Sequence, residues 1–183
     1  VTIPVSVLKE RAQTIRLLAF DVDGVLTDGG IFLSEATEFL RFDVQDGSAM
    51  SIARRAGYHL ALITGRRSPA AIRRAEMLGI TDMLTSIVDK RTALMQLAEA
   101  KQLPPEAVLF MGDDLLDLPA FSAAHLRVAP ANAVPEVRSA ADWITQASGG
   151  HGAVREAIEL VMRTQGTWEP AVADTIGKHL IGQ

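Results

Sequence analysis

Three short apolar runs without polar alternation constrain this chain most. The first is Leu17-Leu18-Ala19-Phe20, which leads straight into Asp21-Val22-Asp23-Gly24. Residues 59–63 and 107–111 repeat the pattern, ending at Thr64-Gly65-Arg66 and Gly112-Asp113-Asp114. A strand that is apolar at successive positions is buried on both faces, as the inner strands of a parallel sheet are. Gly24 lets the chain turn where the first strand should end. In open α/β sheets, ligands bind outside the carboxyl ends of the strands. Asp21 and Asp23 therefore fall where chemistry usually sits, although turn and cap residues are also common there.

The intervening segments alternate with these strands. Residues 4–14 carry apolar side chains at helical spacing, with Pro4 in the first turn. Residues 31–33 and 38–44 are rich in β-formers and predict a hairpin around 34–37. Its Phe32, Phe39 and Phe42 either meet another subunit or fold back on their own domain. Helices are predicted over 47–56, with Asp46 near the start, over 69–78 capped by Ser68, and over 90–101 capped by Asp89. Weaker elements follow: a strand over 80–85, a helix over 118–124, a strand over 126–129, a helical turn over 135–140 and a strand at 143–144. Residues 152–164 form an amphipathic helix. Strands and helices in alternation predict an α/β fold with a doubly wound parallel sheet. Residues 1–166 read as one domain, and the tail 167–183, without pattern, as a short helix, a partner arm or disorder.

A chain of 183 residues suits one domain with a sizeable core. Its net charge of −4 argues against nucleic acid or an anionic membrane held by bulk charge. An anionic substrate must then meet local positive charge or a metal. The absence of cysteine excludes disulfides, thiolate chemistry and zinc–cysteine sites. The first fifteen residues include Lys9, Glu10 and Arg11 and read as neither signal peptide nor membrane span.

If the sheet is parallel, Asp21, Asp23, Thr64, Asp113 and Asp114 share one edge, with Lys90 close by at a helix start. Gathered carboxylates repel one another unless a cation holds them. Oxygen ligands without His or Cys point to Mg²⁺. A lysine there can balance the acids and bind a phosphoryl oxygen, and Thr64 offers a hydroxyl for the same purpose. Each residue alone has a plainer reading: a turn at Thr64-Gly65, a solvated Lys90, an N-cap pair at Asp113-Asp114. Their joint occurrence, in this order, makes a site for phosphoryl transfer through a carboxylate nucleophile.

The segments Asp21-Val22-Asp23-Gly24-Val25-Leu26-Thr27-Asp28, Ile63-Thr64-Gly65-Arg66, Lys90, and Gly112-Asp113-Asp114-Leu115-Leu116-Asp117-Leu118-Pro119 resemble the four motifs of the haloacid dehalogenase superfamily of phosphatases. Only a hairpin and one helix fit between the first motif and the second strand, which leaves no room for a large cap domain. The chain resembles the capless branch of 3-deoxy-D-manno-octulosonate 8-phosphate phosphatases. Phe42-Asp43-Val44-Gln45-Asp46-Gly47, Arg74 and Gly149-Gly150-His151-Gly152-Ala153-Val154-Arg155-Glu156 extend the match.

The resemblance implies a role for each matching residue. Asp21 would be the nucleophile and Asp23 the general acid and base. Asp21, the backbone carbonyl of Asp23, and Asp113 would hold Mg²⁺. Thr64 and Lys90 would bind the phosphoryl group. Asp43, Val44, Gln45, Asp46, Gly47, Arg66 and Arg74 would bind substrate, unless the arginines simply pair with surface acids. The branch implies a cytoplasmic homotetramer whose hairpins form a barrel-like core and whose neighbouring subunit covers the site. The implied activity is hydrolysis of a phosphorylated 3-deoxy keto sugar acid in lipopolysaccharide precursor synthesis. A nonulosonic acid 9-phosphate phosphatase and a non-catalytic tetrameric module are the alternatives. The chain departs from the branch at Thr85-Ser86-Ile87-Val88-Asp89, where Gln-Gly is frequent, at Ala49 in place of glycine, and at Ser51 in place of a basic residue.

Overall fold

The computed structural model describes residues 3–35 and 37–181. Helix α1 (Val5–Thr14) leads into β1 (Leu17–Phe20), whose four residues are all fully buried. A hairpin follows, β2 (Thr27–Leu33) and β3 (Glu38–Phe42), and then α2 (Val44–Arg55). The chain continues through β4 (His59–Ile63), α3 (Pro69–Leu78), β5 (Asp82–Leu84) and α4 (Lys90–Ala100). Next come β6 (Val108–Met111), α5 (Leu118–Phe121), β7 (Leu126–Ala129), α6 (Pro135–Ala140), β8 (Trp143–Ile144), α7 (Ala153–Thr164) and α8 (Trp168–Ile181).

Six strands pair in parallel in the order β5-β4-β1-β6-β7-β8. The chain winds out from β1 in both directions, so β1 is the switch point of the sheet. Phe20 is level with Leu62 on one side and Met111 on the other, so three strands end together. Alternate residues of β1 serve the two faces. Leu18 and Phe20 pack with residues of α1, α2, α3 and α7, while Leu17 and Ala19 pack with those of α4, α5 and α6. This two-sided burial is the physical reason that β1 is apolar at every position.

Two expectations need correction. Helix α2 starts at Val44, not near Asp46, because the Asp43 carboxylate caps it, accepting from the backbone N–H groups of Gln45 (2.6 Å) and Asp46 (3.3 Å). Strand β2 begins at Thr27, four residues early, and its register shifts before Ile31, next to Gly29 at φ +82°. Of the readings open for the tail, the helix is the one formed: beyond Gly166 the chain makes α8, which packs on α2 and α7. Trp168 is buried in the core, with the guanidinium groups of Arg155 and Arg163 over its ring at 5.5 and 5.6 Å.

The hairpin aromatics divide. Phe42 packs against the core, but Phe32, Leu33 and Phe39 are 62%, 78% and 60% exposed, so folding back does not cover them. Among the described residues, no helix is long and apolar enough to cross a membrane.

Candidate active site

Beyond Phe20 the chain reverses within seven residues. The N–H groups of Leu26 and Thr27 donate to the Val22 carbonyl, each at 3.0 Å, and the buried Thr27 hydroxyl accepts from Gly24. Asn132 holds the turn from outside, donating to the Gly24 carbonyl at 3.0 Å and accepting from Gly149 at 2.7 Å. Gly24 sits at φ +86°, and a Cβ there would lie 2.1 Å from Asp113 Oδ2. Only glycine lets the ends of β1 and β6 come this close.

Asp21, at the end of β1, is 6% exposed. Lys90 is the first residue of α4, whose Asp89 cap accepts from Thr92 N–H at 3.1 Å. The buried Lys90 Nζ lies 2.8 Å from Asp21 Oδ1 and 2.6 Å from Asp117 Oδ1. Burial opposes the lysine charge, but the two carboxylates outweigh it and raise its pKa. Thr64, nearly sealed at the end of β4, accepts through its hydroxyl from Arg66 N–H.

Asp117 ends a 3₁₀ turn (Leu115–Asp117) and was given no role from the sequence. Its Oδ2 accepts from the N–H groups of Asp113 (2.9 Å) and Asp114 (3.2 Å) while Oδ1 takes Lys90. Asp114 and Asp117 form a capping box, and that three-residue spacing was the signal available for it.

Carboxylate oxygens of Asp21, Asp113 and Asp117 all lie within 4.8 Å of one another. Lys90 is the cation that pairs with this cluster. Burial and then Asp117 raise the Asp21 carboxyl from 3.8 to about 7, against the pull of Lys90. Burial, followed by Asp21, Asp117 and Asp114, raises Asp113 to about 8. Asp113 Oδ1 is buried without a hydrogen-bond partner. An orphaned carboxylate oxygen among crowded acids fits a hard divalent cation bound through oxygen.

Asp23 is engaged differently. Arg66 forks onto it, with Nε donating to Oδ2 and Nη2 to Oδ1, both at 2.9 Å. The third arm of Arg66, Nη1, donates to Glu38 Oε2 at 2.9 Å. Both oxygens of the Asp23 carboxylate are thus taken by Arg66. Glu38 is a second residue that sequence reasoning missed. It stands 28 residues from Arg66, and nothing in the alternation of β3 marks it.

These residues surround one cavity of about 490 Å³, lined by Asp21, Asp23, Thr64, Arg66, Lys90 and Asp113, with Ile31, Val88 and Leu116 also in its wall. Asp43, Val44, Gln45, Asp46, Gly47 and Arg74 do not line it. Asp46 is fully buried and accepts from the N–H groups of Gly152 (3.2 Å) and Arg155 (2.8 Å), so it caps α7. Arg74 lies over the Phe42 ring and donates to the Asp43 carbonyl, and its Nε is buried without a partner. Gly47 makes room for it, since a Cβ there would sit 2.1 Å from Arg74 Nη2.

Residues 79–158 match the family model of the haloacid dehalogenase-like hydrolases. The chain is 39% identical to the 3-deoxy-D-manno-octulosonate 8-phosphate phosphatase KdsC of Escherichia coli (strain K12), over 91% of this chain and 89% of that protein. The chain belongs to the haloacid dehalogenase-like hydrolases. Among solved structures, this hydrolase is similar to the 3-deoxy-D-manno-octulosonate 8-phosphate phosphatase of Yersinia pestis, with a TM-score of 0.87 at 38% identity, covering 89% of each chain. It is also similar to that of Moraxella catarrhalis, solved with a magnesium ion, a phosphate ion and a KDO molecule. There the TM-score is 0.90 at 36% identity, covering 94% of this chain and 99% of the other. The parallel sheet, the hairpin and the lack of a cap domain among the described residues agree with the fold expected of this family.

Proposed function

We propose that this hydrolase is a Mg²⁺-dependent phosphatase that converts 3-deoxy-D-manno-octulosonate 8-phosphate to 3-deoxy-D-manno-octulosonate and phosphate, in lipopolysaccharide precursor synthesis. One observation carries the reading: Asp21, Thr64 and Asp113, at the ends of three strands, meet Lys90 at the start of α4 and Asp23 in one cavity. The near-full-length similarity to phosphatases of that substrate supports it.

Asp21 and Asp113 would hold Mg²⁺ with the backbone carbonyl of Asp23, and bound there the ion supplies positive charge against the phosphoryl oxygens. An Asp21 oxygen attacks phosphorus, forming a P–O bond as the bond to the sugar oxygen breaks. Asp23 gives its proton to that departing oxygen. The Asp23 carboxylate then takes a proton from water, whose oxygen attacks phosphorus and breaks the bond to Asp21. Inorganic phosphate leaves, and both aspartates return to their starting states. Lys90 neutralises Asp21 and faces the transferring group, and Thr64 holds a phosphoryl oxygen.

The exposed Phe32, Leu33 and Phe39 support assembly of hairpins into a homotetramer. Light scattering on the purified protein reads the assembly state. The test of function is phosphate release across a panel of sugar acid phosphates, with Mg²⁺ and with chelator. Preference for the 8-phosphate with loss under chelator is the expected result. Preference for a nonulosonic acid 9-phosphate overturns the substrate, and activity indifferent to chelator overturns the metal.

A further inference from the structure

The Asp23 carboxylate has a support outside the reacting atoms. Arg66 spends three arms on two acids, Nε and Nη2 on Asp23 and Nη1 on Glu38. Glu38 is the first residue of β3, and its side chain is only 13% exposed. Its other oxygen accepts from the Ser68 hydroxyl, and Ser68 in turn caps α3 by accepting from Ala71 N–H at 3.2 Å. The line Asp23–Arg66–Glu38–Ser68 therefore ties the loop after β1 to the hairpin and to α3.

The fork sets the orientation of the Asp23 carboxylate, since both of its oxygens accept charge-assisted bonds from Arg66. The Arg66 side chain is long and part-exposed, so the fork is only as fixed as the guanidinium that carries it. Glu38, largely buried and itself held by Ser68, takes the third arm and fixes the guanidinium in its plane.

We propose that Glu38 is a positioning residue for the general acid: it anchors Arg66 so that Asp23 keeps its orientation through both halves of the reaction. The hairpin strand thereby enters the catalytic apparatus through its first residue. This rests on the reading of Asp23 as proton donor to the leaving oxygen.

The test compares leaving groups. An alkyl phosphate needs the proton as the ester bond breaks, whereas p-nitrophenyl phosphate releases a stabilised phenolate that does not. The ratio kcat/KM stops at that cleavage, so later hydrolysis of the phosphorylated Asp21 does not enter it. In Glu38→Ala, kcat/KM for alkyl phosphates should fall about 10- to 100-fold, the usual cost of a misplaced catalytic group. For p-nitrophenyl phosphate it should change less than about threefold, since no acid is called on. Equal losses on both substrates would reduce Glu38 to a structural residue, and no loss on either would remove it from the mechanism. Glu38→Gln still accepts from Nη1 without the charge, and should lose less than Glu38→Ala in the same pattern. This variant carries the test if Glu38→Ala does not fold. A second readout needs no turnover: the ¹⁵N-resolved Arg66 Nε–H resonance should be hydrogen-bonded and slow to exchange in the parent, and lost in Glu38→Ala. An unchanged resonance overturns the anchoring. If the parent cleaves no phosphate ester, the phosphatase reading fails while the resonance still judges the anchor.

Discussion

Lys90 Nζ lies 2.6 Å from Asp117 Oδ1, and both side chains are sealed from solvent. Asp117 also receives two backbone N–H groups from the loop that carries Asp113. It therefore braces the cationic and the metal-binding sides of the site at once. Asp117→Ala leaves a buried ammonium with one partner fewer and two backbone donors without their acceptor. A loss of about 3–5 kcal/mol is expected from breaking such a buried pair, read by urea unfolding. A loss below about 1 kcal/mol, the size of a surface pair, would mean the brace is unimportant.

Asp21→Asn should abolish turnover, because an amide cannot serve as the attacking carboxylate. Asp23→Asn should retain slow turnover, reduced by about 10²–10⁴-fold, the usual worth of acid–base catalysis. Steady-state phosphate release separates the two. Parent-like rates in Asp21→Asn would refute the covalent route.

The crowded acids predict a pH-dependent stability. Asp21 and Asp113 are raised from 3.8 to about 7 and about 8 in the folded chain. Between about pH 4 and pH 8 the folded state therefore binds more protons than the unfolded one, so stability falls as pH rises. The contribution is fully present below the unfolded value and lost as pH passes through 7 to 8. In chelator, Tm should drop by several degrees from pH 5 to pH 8. Saturating Mg²⁺, which binds the ionised acids, should restore most of the drop at the upper end. Scanning calorimetry at matched ionic strength checks both; a Tm in chelator that rises over this window would contradict the shifts.

Gly24→Ala puts a methyl where Asp113 Oδ2 now lies, at a φ of +86° that alanine adopts only under strain. Activity should fall by about tenfold or more, in line with displacement of a catalytic group by an ångström. The Mg²⁺ concentration for half-maximal rate should rise with it. A metal titration of the variant gives both numbers.

Asp46→Ala removes the acceptor for two N–H groups at the start of α7. The expected cost is about 1–3 kcal/mol, that of leaving part-buried donors without their acceptor. Urea unfolding measures it, and an unchanged midpoint would show that water replaces the carboxylate.

Much of the fold was legible in the chain because the signals are local. Ser68-Pro69, Gly79 and Asp89 bound α3 and α4 as their chemistry dictates. The misplaced start of α2 has a physical cause. Asp43 continues the alternation of β3 and so looked like strand, but its carboxylate had captured the N–H groups of the next turn. Residues 167–181 lack a strong helical stripe, and α8 is held instead by Trp168 against two arginines of α7.

The sequence by itself determined the parallel sheet and the edge where Asp21, Thr64, Lys90 and Asp113 would gather. Short apolar runs without polar alternation suit strands buried on both faces, and each run ends in or next to a polar residue. Only the tertiary structure decided how those residues divide their contacts. Asp23 went to Arg66, which also holds Glu38, Asp117 joined Lys90, and Asp46 turned inward to cap α7. Periodicity along a chain shows which face a side chain takes. Which of several distant donors it meets depends on strands, loops and a hairpin converging from positions far apart in sequence.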